Sequence, residues 1–128
     1  MKKYFFATAL IVSTGCVANT YPTSFEGKYK CAGNEVGTKE AFKCDMIIKK
    51  TGETFASSAS CSDGNSYIGT GIYDKNTHHL STGFINPKKS EETGVSVSTI
   101  KTDGSIVTVW TYLNNTSIGR TTCTKERY

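Results

Sequence analysis

The stretch FKCDMIIKK, residues 42–50, carries the alternation that determines the fold class of this chain. Its apolar side chains stand at every second position: Phe42, Cys44, Met46 and Ile48. The positions between them are mainly charged: Lys43, Asp45 and Lys49. Because successive side chains of a strand point to opposite faces, this spacing predicts a β-strand with one buried face and one face in water.

Short segments of the same kind follow one another from residue 25 onward, separated by turn sequences such as Asp63-Gly64 and Asp103-Gly104. No segment carries an apolar stripe at helical spacing that is long enough to predict a helix. Eight strands are predicted, at residues 27–33, 42–50, 54–61, 66–73, 79–85, 94–101, 106–112 and 119–125. Residues 87–93 are predicted to form a charged loop.

Eight short strands joined by tight turns predict an all-β fold, an eight-stranded antiparallel meander closed into a barrel. Closure removes the exposed strand edges at which sheets otherwise aggregate. A two-layer β-sandwich is the alternative fold.

The N-terminal sequence resembles the signal of bacterial lipoproteins. Lys2 and Lys3 precede an apolar run that is about half the roughly 20 residues of a membrane-spanning helix. The following Ser13-Thr14-Gly15-Cys16 resembles the lipobox, although Ser13 stands where the family usually has Leu. The resemblance implies a signal peptide over residues 1–15, lipid attachment at Cys16, a tether over residues 16–24 and a barrel domain over residues 25–128.

The residue after the lipidated cysteine bears on localisation. In enteric-type sorting, Asp at this position retains a lipoprotein on the inner membrane, and here the residue is Val17. The similarity therefore implies the outer membrane, with the periplasmic side favoured over the cell surface. Lipoproteins of this type carry three acyl chains, which implies stable anchoring, since two chains already suffice.

The cysteines predict disulfides rather than metal ligands. Cys31, Cys44, Cys61 and Cys123 are an even set in a small exported domain, which predicts two disulfide bonds. In the loop-entropy model these bonds contribute about 3 and 4 kcal/mol to the free energy of unfolding. Cys31 and Cys44 flank one hairpin and can face each other, which leaves Cys61 for Cys123. The pairings 31–123 with 44–61, and 31–61 with 44–123, stay open. Since no Cys-x-x-Cys pair is present, neither a metal nor a cofactor is predicted.

Charge and catalytic motifs exclude two functional classes. The formal net charge of +4 falls to about +2 without Lys2 and Lys3, and no basic stripe remains for nucleic acid. The histidine pair His78-His79 has no marked nucleophile beside it, and the adjacent Glu91-Glu92 do not form two carboxylates across a cleft. We therefore expect a protein that is not an enzyme.

Binding residues are predicted on one strand and one loop. Trp110 and Tyr112 share a strand face with Thr108. If that face points inward, it gives the barrel aromatic walls that suit a small ligand, and if it points outward, it anchors a protein partner. Lys88, Glu91 and Glu92 of the charged loop are the other candidate partner-binding residues.

Two families resemble parts of the chain. Membrane-bound inhibitors of c-type lysozyme are small lipoprotein barrels with a Tyr-x-Cys near the mature start, similar to Tyr29-Lys30-Cys31, and Cys123 fits the partner cysteine. Their inhibitory Ser-Gly-x-x-Tyr stretch is not recognisable here. Avidins share the meander, and residues 70–74 are similar to one of their strands, but the tryptophans of the biotin site are missing.

These features predict an outer-membrane lipoprotein that acts as a non-catalytic binding or assembly module. By architectural analogy, it resembles small accessory subunits of envelope-spanning secretion complexes. The alternatives are an inhibitor of a lysozyme-like hydrolase, which would insert the 87–93 loop into an active site, and a small-ligand carrier that uses the barrel interior.

Overall fold

The computed structural model describes residues 25–126, which form a closed all-β barrel. Its strands are β1 (Gly27–Asn34), β2 (Ala41–Thr51), β3 (Thr54–Cys61), β4 (Ser66–Asp74), β5 (His79–Asn86), β6 (Lys89–Ile100), β7 (Ile106–Tyr112) and β8 (Gly119–Lys125). Each strand is antiparallel to the next, and β1 also pairs with β8. The predicted eight-stranded meander barrel is confirmed, and the sandwich is not formed. The predicted signal peptide and lipid attachment residue Cys16 lie outside the described residues.

The start of β6 differs from the sequence prediction. Residues 87–93 were expected to be a loop, but only Pro87 and Lys88 form the turn, and β6 begins at Lys89. Ile85 pairs with Thr93 and Asn86 with Lys89, so residues 90–92 form a bulge in β6. Charged side chains are tolerated there because the strand end reaches water while its backbone still pairs. The prediction of a charged loop over residues 87–93 is therefore wrong.

The lower end of the barrel, at the β2–β3, β4–β5 and β6–β7 turns, is filled by apolar side chains. This layer, called the floor below, consists of Phe25, Tyr29, Ile48, Phe55, Leu80, Ile100 and Ile106, all buried. Their alternation along the strands brings them to one side of the sheet, where burial of each large side chain contributes about 1.5–3 kcal/mol.

Phe25 closes the floor from below. Its ring meets Phe55 and Tyr73 edge to face, with centroids 6.0 and 5.1 Å apart. Its carbonyl accepts a 2.6 Å hydrogen bond from the hydroxyl of Tyr29. Burial raises the pKa of Tyr29 to about 12, so the hydroxyl keeps the proton that it donates. The chain therefore enters the barrel at its lower end, through a packed and hydrogen-bonded contact.

The four cysteines lie side by side on four neighbouring strands. In register, Cys123 of β8 faces Cys31 of β1, Cys31 faces Cys44 of β2, and Cys44 faces Cys61 of β3. The two predicted disulfides are confirmed and join Cys31 to Cys123 and Cys44 to Cys61. This is the second of the three pairings that the sequence left open, and it closes the seam between the first and last strands.

The strand register explains this choice of partners. The bonded cysteines have Cα atoms 4.0 and 3.9 Å apart, the short spacing of non-hydrogen-bonded pairs. The backbone hydrogen bonds at neighbouring positions support this assignment. Glu126 N–H donates to the Lys28 carbonyl and Ser62 N–H to the Lys43 carbonyl, each at 2.8 Å. A residue in an antiparallel sheet turns both backbone groups to the same neighbour. Cys31 and Cys44 therefore form the wider, hydrogen-bonded pair, which is less suited to a disulfide.

Candidate functional site

The upper half of the barrel encloses a cavity of about 150 Å³ above the floor. Most inward side chains at this level are short and carry hydroxyls, and the longer Met46 side chain also lines the cavity. This layer, called the middle tier, consists of Ser57, Ala59, Thr82, Ser96, Thr108 and Thr121. An eight-stranded barrel is wide enough for large side chains to fill it or for one small ligand to enter. Because the middle tier is short, the space above the floor stays open.

Five rings surround the cavity above the middle tier and are called the aromatic rim: Phe42, Tyr67, Phe84, Trp110 and Tyr112. Trp110 lies 5.3 Å from Tyr112, 6.0 Å from Phe42 and 6.3 Å from Phe84, measured between ring centroids. All these pairs meet edge to face, the arrangement that aromatic quadrupoles favour. The Trp110 Nε1–H also donates to Thr121 Oγ1 at 3.0 Å, which fixes the indole.

Glycines across the strands make room for two of these rings. Trp110 faces Gly119 of β8, and Phe84 faces Gly94 of β6. A Cβ at Gly119 would overlap the six-membered ring of Trp110, and one at Gly94 would lie 2.7 Å from Phe84 Cζ. Because the rings rest against bare backbone, they line the wall rather than cross the lumen, which keeps the cavity open.

A hydrogen-bonded cluster lies above the rim. Tyr67 donates to Glu92 Oε1 at 3.0 Å, and the Asn86 Nδ2 donates to the same oxygen at 2.8 Å. The hydroxyls of Tyr67 and Tyr112 are 3.2 Å apart. Since Tyr67 gives its single proton to Glu92, Tyr112 is the donor of this third bond. The β6 bulge thus holds Glu92 at the upper opening of the cavity.

Asn86 supports this arrangement from inside the wall. It is 2 % exposed and satisfies both ends of its amide. Its Nδ2 donates to Asn65 Oδ1 at 3.2 Å as well as to Glu92, and its Oδ1 accepts the Lys88 N–H at 3.0 Å. A buried amide with all these partners is held rigidly, so the position of Glu92 is held with it.

The upper opening is acidic. We call Glu35, Asp63 and Glu92 the mouth. Glu35 and Asp63 line the cavity, and Glu92 accepts a hydrogen bond from Tyr67 of the rim. Burial raises the pKa of Glu35, and the charges of Asp63, Glu92 and Glu40 raise it further. In residues 25–126, both side-chain ion pairs involve Lys30, which lies on the outer surface. No ion pair therefore neutralises the mouth within that range.

The two tyrosines of the cluster stay protonated. Burial raises the pKa of Tyr67, and the Glu92 carboxylate, which accepts its proton in a hydrogen bond, adds to the effect. Burial also raises the pKa of Tyr112, with further contributions from the charges of Glu92, Glu35 and Asp63. The phenols are consequently hydrogen-bond donors at physiological pH, and the carboxylates supply the charge.

The structure brings together three of the residues predicted from the sequence. Trp110 and Tyr112 point inward to the rim, and Glu92 lies at the mouth. Glu91 and Lys88 are exposed and do not reach the cavity. The predicted candidate residues thus separate into a cavity set and an outer set.

Sequence reasoning missed Phe84, Asn86 and Glu35 and treated Phe42 only as part of an apolar face. Phe84 carried a usable signal, since it follows Leu80 and Thr82 in strict alternation along β5. The glycine partners depend on the register between strands, which a single strand pattern does not contain.

No protein-family model matches the sequence, and no curated protein matches it. Within residues 25–126, no three His, Cys, Asp or Glu side chains are grouped as ligands of one metal ion. The same range contains no helix with the length and apolar character needed to cross a membrane.

Proposed function

We propose that this protein is a non-catalytic binding protein that takes a small organic molecule into the upper half of its barrel. The observation that carries the proposal is the cavity of about 150 Å³ between the middle tier and the aromatic rim. An engineered apolar cavity of about this volume in another protein holds one benzene molecule. The enclosed part of the ligand is thus about one ring in size, and any larger part extends through the mouth.

The orientation of β7 favours a ligand over a protein partner for its aromatic residues. Trp110 and Tyr112 line the cavity and are half-buried, so little of either ring is available to a flat protein surface. Their hydrogen-bonding groups face Thr121 and Tyr67, both of which also line the cavity. A pocket with apolar walls and a few fixed polar groups is the usual form of a small-molecule site.

The proposed lipid anchor is compatible with this site. Phe25 lies at the lower end of the barrel, and the mouth lies at the upper end. A tether over residues 16–24 therefore joins the barrel at the end opposite the mouth. Anchored through Cys16 at the periplasmic side of an outer membrane, the protein would hold its ligand close to that surface at a raised local concentration.

The single tryptophan makes this proposal testable. Trp110 is the only Trp of the chain and lies in the rim, so its fluorescence reports on the cavity. We expect benzene to change the Trp110 emission of the purified full-length protein in a saturable way. Ala59→Leu, which fills the middle tier, is expected to abolish the response.

Ala56→Leu is the matched control, because Ala56 lies on the same strand with the opposite parity and does not line the cavity. It should respond as the parent protein does. An undiminished response in Ala59→Leu would contradict the proposal, and so would a parent protein that binds no small organic probe, whether neutral or charged.

A second candidate function, assembly with a protein partner, is favoured by the outer surface of β4 to β7. Exposed apolar side chains gather there: Ile68, Ile72, Val95, Val97 and Val107. Ile72 is 67 % exposed, more than any other large apolar side chain among the described residues. Several exposed apolar side chains on one face of a barrel are a feature of interaction sites. An accessory subunit of a larger envelope complex would use this face rather than Trp110 and Tyr112.

The native mass of the protein, solubilised gently from its own membrane, tests this second function. Ile72→Lys should release the protein from a large assembly. Ile47→Lys, on the charged side of the barrel at β2, should leave the assembly intact. A monomer in the parent protein would argue against a stable partner.

A further inference from the structure

We infer that the ligand of the cavity is an organic cation, a small substituted ammonium group held between the aromatic rim and the carboxylates of the mouth. This inference rests on the proposed function, because it assigns a chemical class to the ligand of the same cavity.

The aromatic rim supplies the first argument. The face of an aromatic ring is negative and attracts ammonium groups within about 6 Å, most strongly for Trp. Trp110 covers Gly119 from inside the barrel and lines the cavity. Tyr112 and Phe42 adjoin it at 5.3 and 6.0 Å between centroids. The result is a partial cage of rings rather than a single stacking surface.

The fixed carboxylate of Glu92 supplies the second argument. Both of its hydrogen bonds use Oε1, and within residues 25–126 none uses Oε2. A buried amide and a protonated phenol hold it, and neither carries a positive charge that would cancel its own. A ligand cation in the cavity would therefore meet a preorganised negative group at low cost in reordering.

The surrounding charges supply the third argument. Glu35 and Asp63 stand at the same opening. Lys39, Lys88 and Lys89 are exposed on the upper turns and the start of β6, and none is within ion-pair distance of these carboxylates. The mouth would thus repel an anion, and a neutral ligand would leave its charge uncompensated.

The size of the cavity limits the cation. A volume of about 150 Å³ suits a trimethylammonium group with a short chain. A metal ion, by contrast, needs several oxygen ligands converging at about 2–2.6 Å, and no three His, Cys, Asp or Glu side chains of the described residues are grouped to hold one. Rings and charge together select an organic ammonium compound.

Choline and 3,3-dimethylbutan-1-ol provide a direct test, since they share a shape and differ in a charged nitrogen against a neutral carbon. Binding to the full-length protein is measured by Trp110 fluorescence and calorimetry at low ionic strength. We expect choline to bind about tenfold more tightly than the alcohol, the ratio that a modest cation–π and charge contribution produces.

Glu92→Gln keeps the shape and the acceptor for Tyr67 but removes the charge. It should weaken choline binding about tenfold and leave the alcohol unchanged. Glu91→Gln is the matched control, because Glu91 is adjacent but exposed, and it should change neither. Ala59→Leu should abolish choline binding, which locates the ligand in the cavity.

The outcomes separate the two proposals. Equal binding of choline and the alcohol, or binding of benzene alone, would overturn the cation inference and leave the small-ligand function standing. Choline binding that survives Ala59→Leu would place the cation elsewhere and would also overturn the inference. If the parent binds neither choline, nor the alcohol, nor benzene, both proposals fail.

Discussion

The floor and the upper half of this barrel are built on the same eight strands but use them differently. At the floor, large side chains such as Ile106 and Tyr29 meet in the middle and exclude solvent. In the upper half, the rings of Trp110 and Phe84 lie against glycines of the neighbouring strands and leave the centre open. The comparison teaches that whether a small barrel is filled or hollow depends on cross-strand partners as much as on side-chain size. Stability and binding are thereby separated along the barrel axis.

The two disulfides, which lie side by side on neighbouring strands, give the largest expected effects on stability. All four cysteines line the cavity, but Cys31 and Cys123 are buried, whereas Cys44 and Cys61 are half-buried. Their sequence separations are 92 and 17. Replacing the first pair by Ala should lower the free energy of unfolding by about 4.5 kcal/mol, and replacing the second by about 3 kcal/mol. Guanidinium unfolding of the two double variants measures both, and a reversed order would show that the seam is not the critical closure.

Matched truncations of Phe55 and Phe84 test the comparison directly. Phe55 is buried in the floor, and Phe84 borders the cavity. Phe55→Ala should cost about 3–5 kcal/mol, because a new cavity opens in packed surroundings. Phe84→Ala should cost less than half of that, since part of its surface already faces open space. Urea unfolding provides the numbers, and equal costs would mean that the upper half is packed as well as the floor.

A single methyl group at Gly119 should convert the upper half towards the filled state. Gly119→Ala pushes the Trp110 ring into the lumen, which should abolish benzene binding and destabilise the protein by about 1–3 kcal/mol. Gly83→Ala is the control, because a Cβ there meets nothing within 4 Å. Fluorescence titration of both variants reports the effect. Intact binding in Gly119→Ala would show that the glycine does not keep the cavity open.

The smallest effect is expected at the mouth, in the pH dependence of stability. Burial and the facing carboxylates of Asp63, Glu92 and Glu40 raise the pKa of Glu35 in the folded state. A raised pKa means that the stability contributed by the protonated form is present at low pH and is lost as the pH rises through the folded pKa. Glu35→Gln should therefore raise the melting temperature slightly near pH 7 and leave it unchanged below about pH 4. Thermal scans at both pH values check this sign, and a lowered melting temperature near pH 7 would contradict it.

Much of the fold was predictable because one face of each strand is buried. The alternation of residues 42–50 identified β2, and the predicted bounds of β3, β7 and β8 coincide with those observed. The bulge at residues 90–92 was not predictable. A run of charged residues indicates contact with water, but it does not show whether the backbone is paired with a neighbouring strand. Local patterns thus locate strands, and their ends need the neighbouring strand.

The site was predictable only in part for a related reason. Trp110, Tyr112 and Glu92 were identified from residue type, but only closure of the barrel brings them together at one site. The register between strands places Gly119 opposite Trp110. The register also determines that Cys31 bonds to Cys123 rather than to Cys44. Register is a property of pairs of strands, so no single segment of sequence contains it.

The row of four cysteines has a consequence for the order of oxidation during biogenesis. A chain made from its N-terminus presents Cys31 and Cys44 in the first hairpin long before Cys123 appears. An oxidant acting at that moment can join Cys31 to Cys44, which are not bonded to each other in the folded barrel. This premature disulfide leaves Cys123 without its partner. Maturation in an oxidising compartment would then rely on thiolate exchange to move the bond along the row. An isomerase, and not only an oxidase, should determine the yield of the closed barrel.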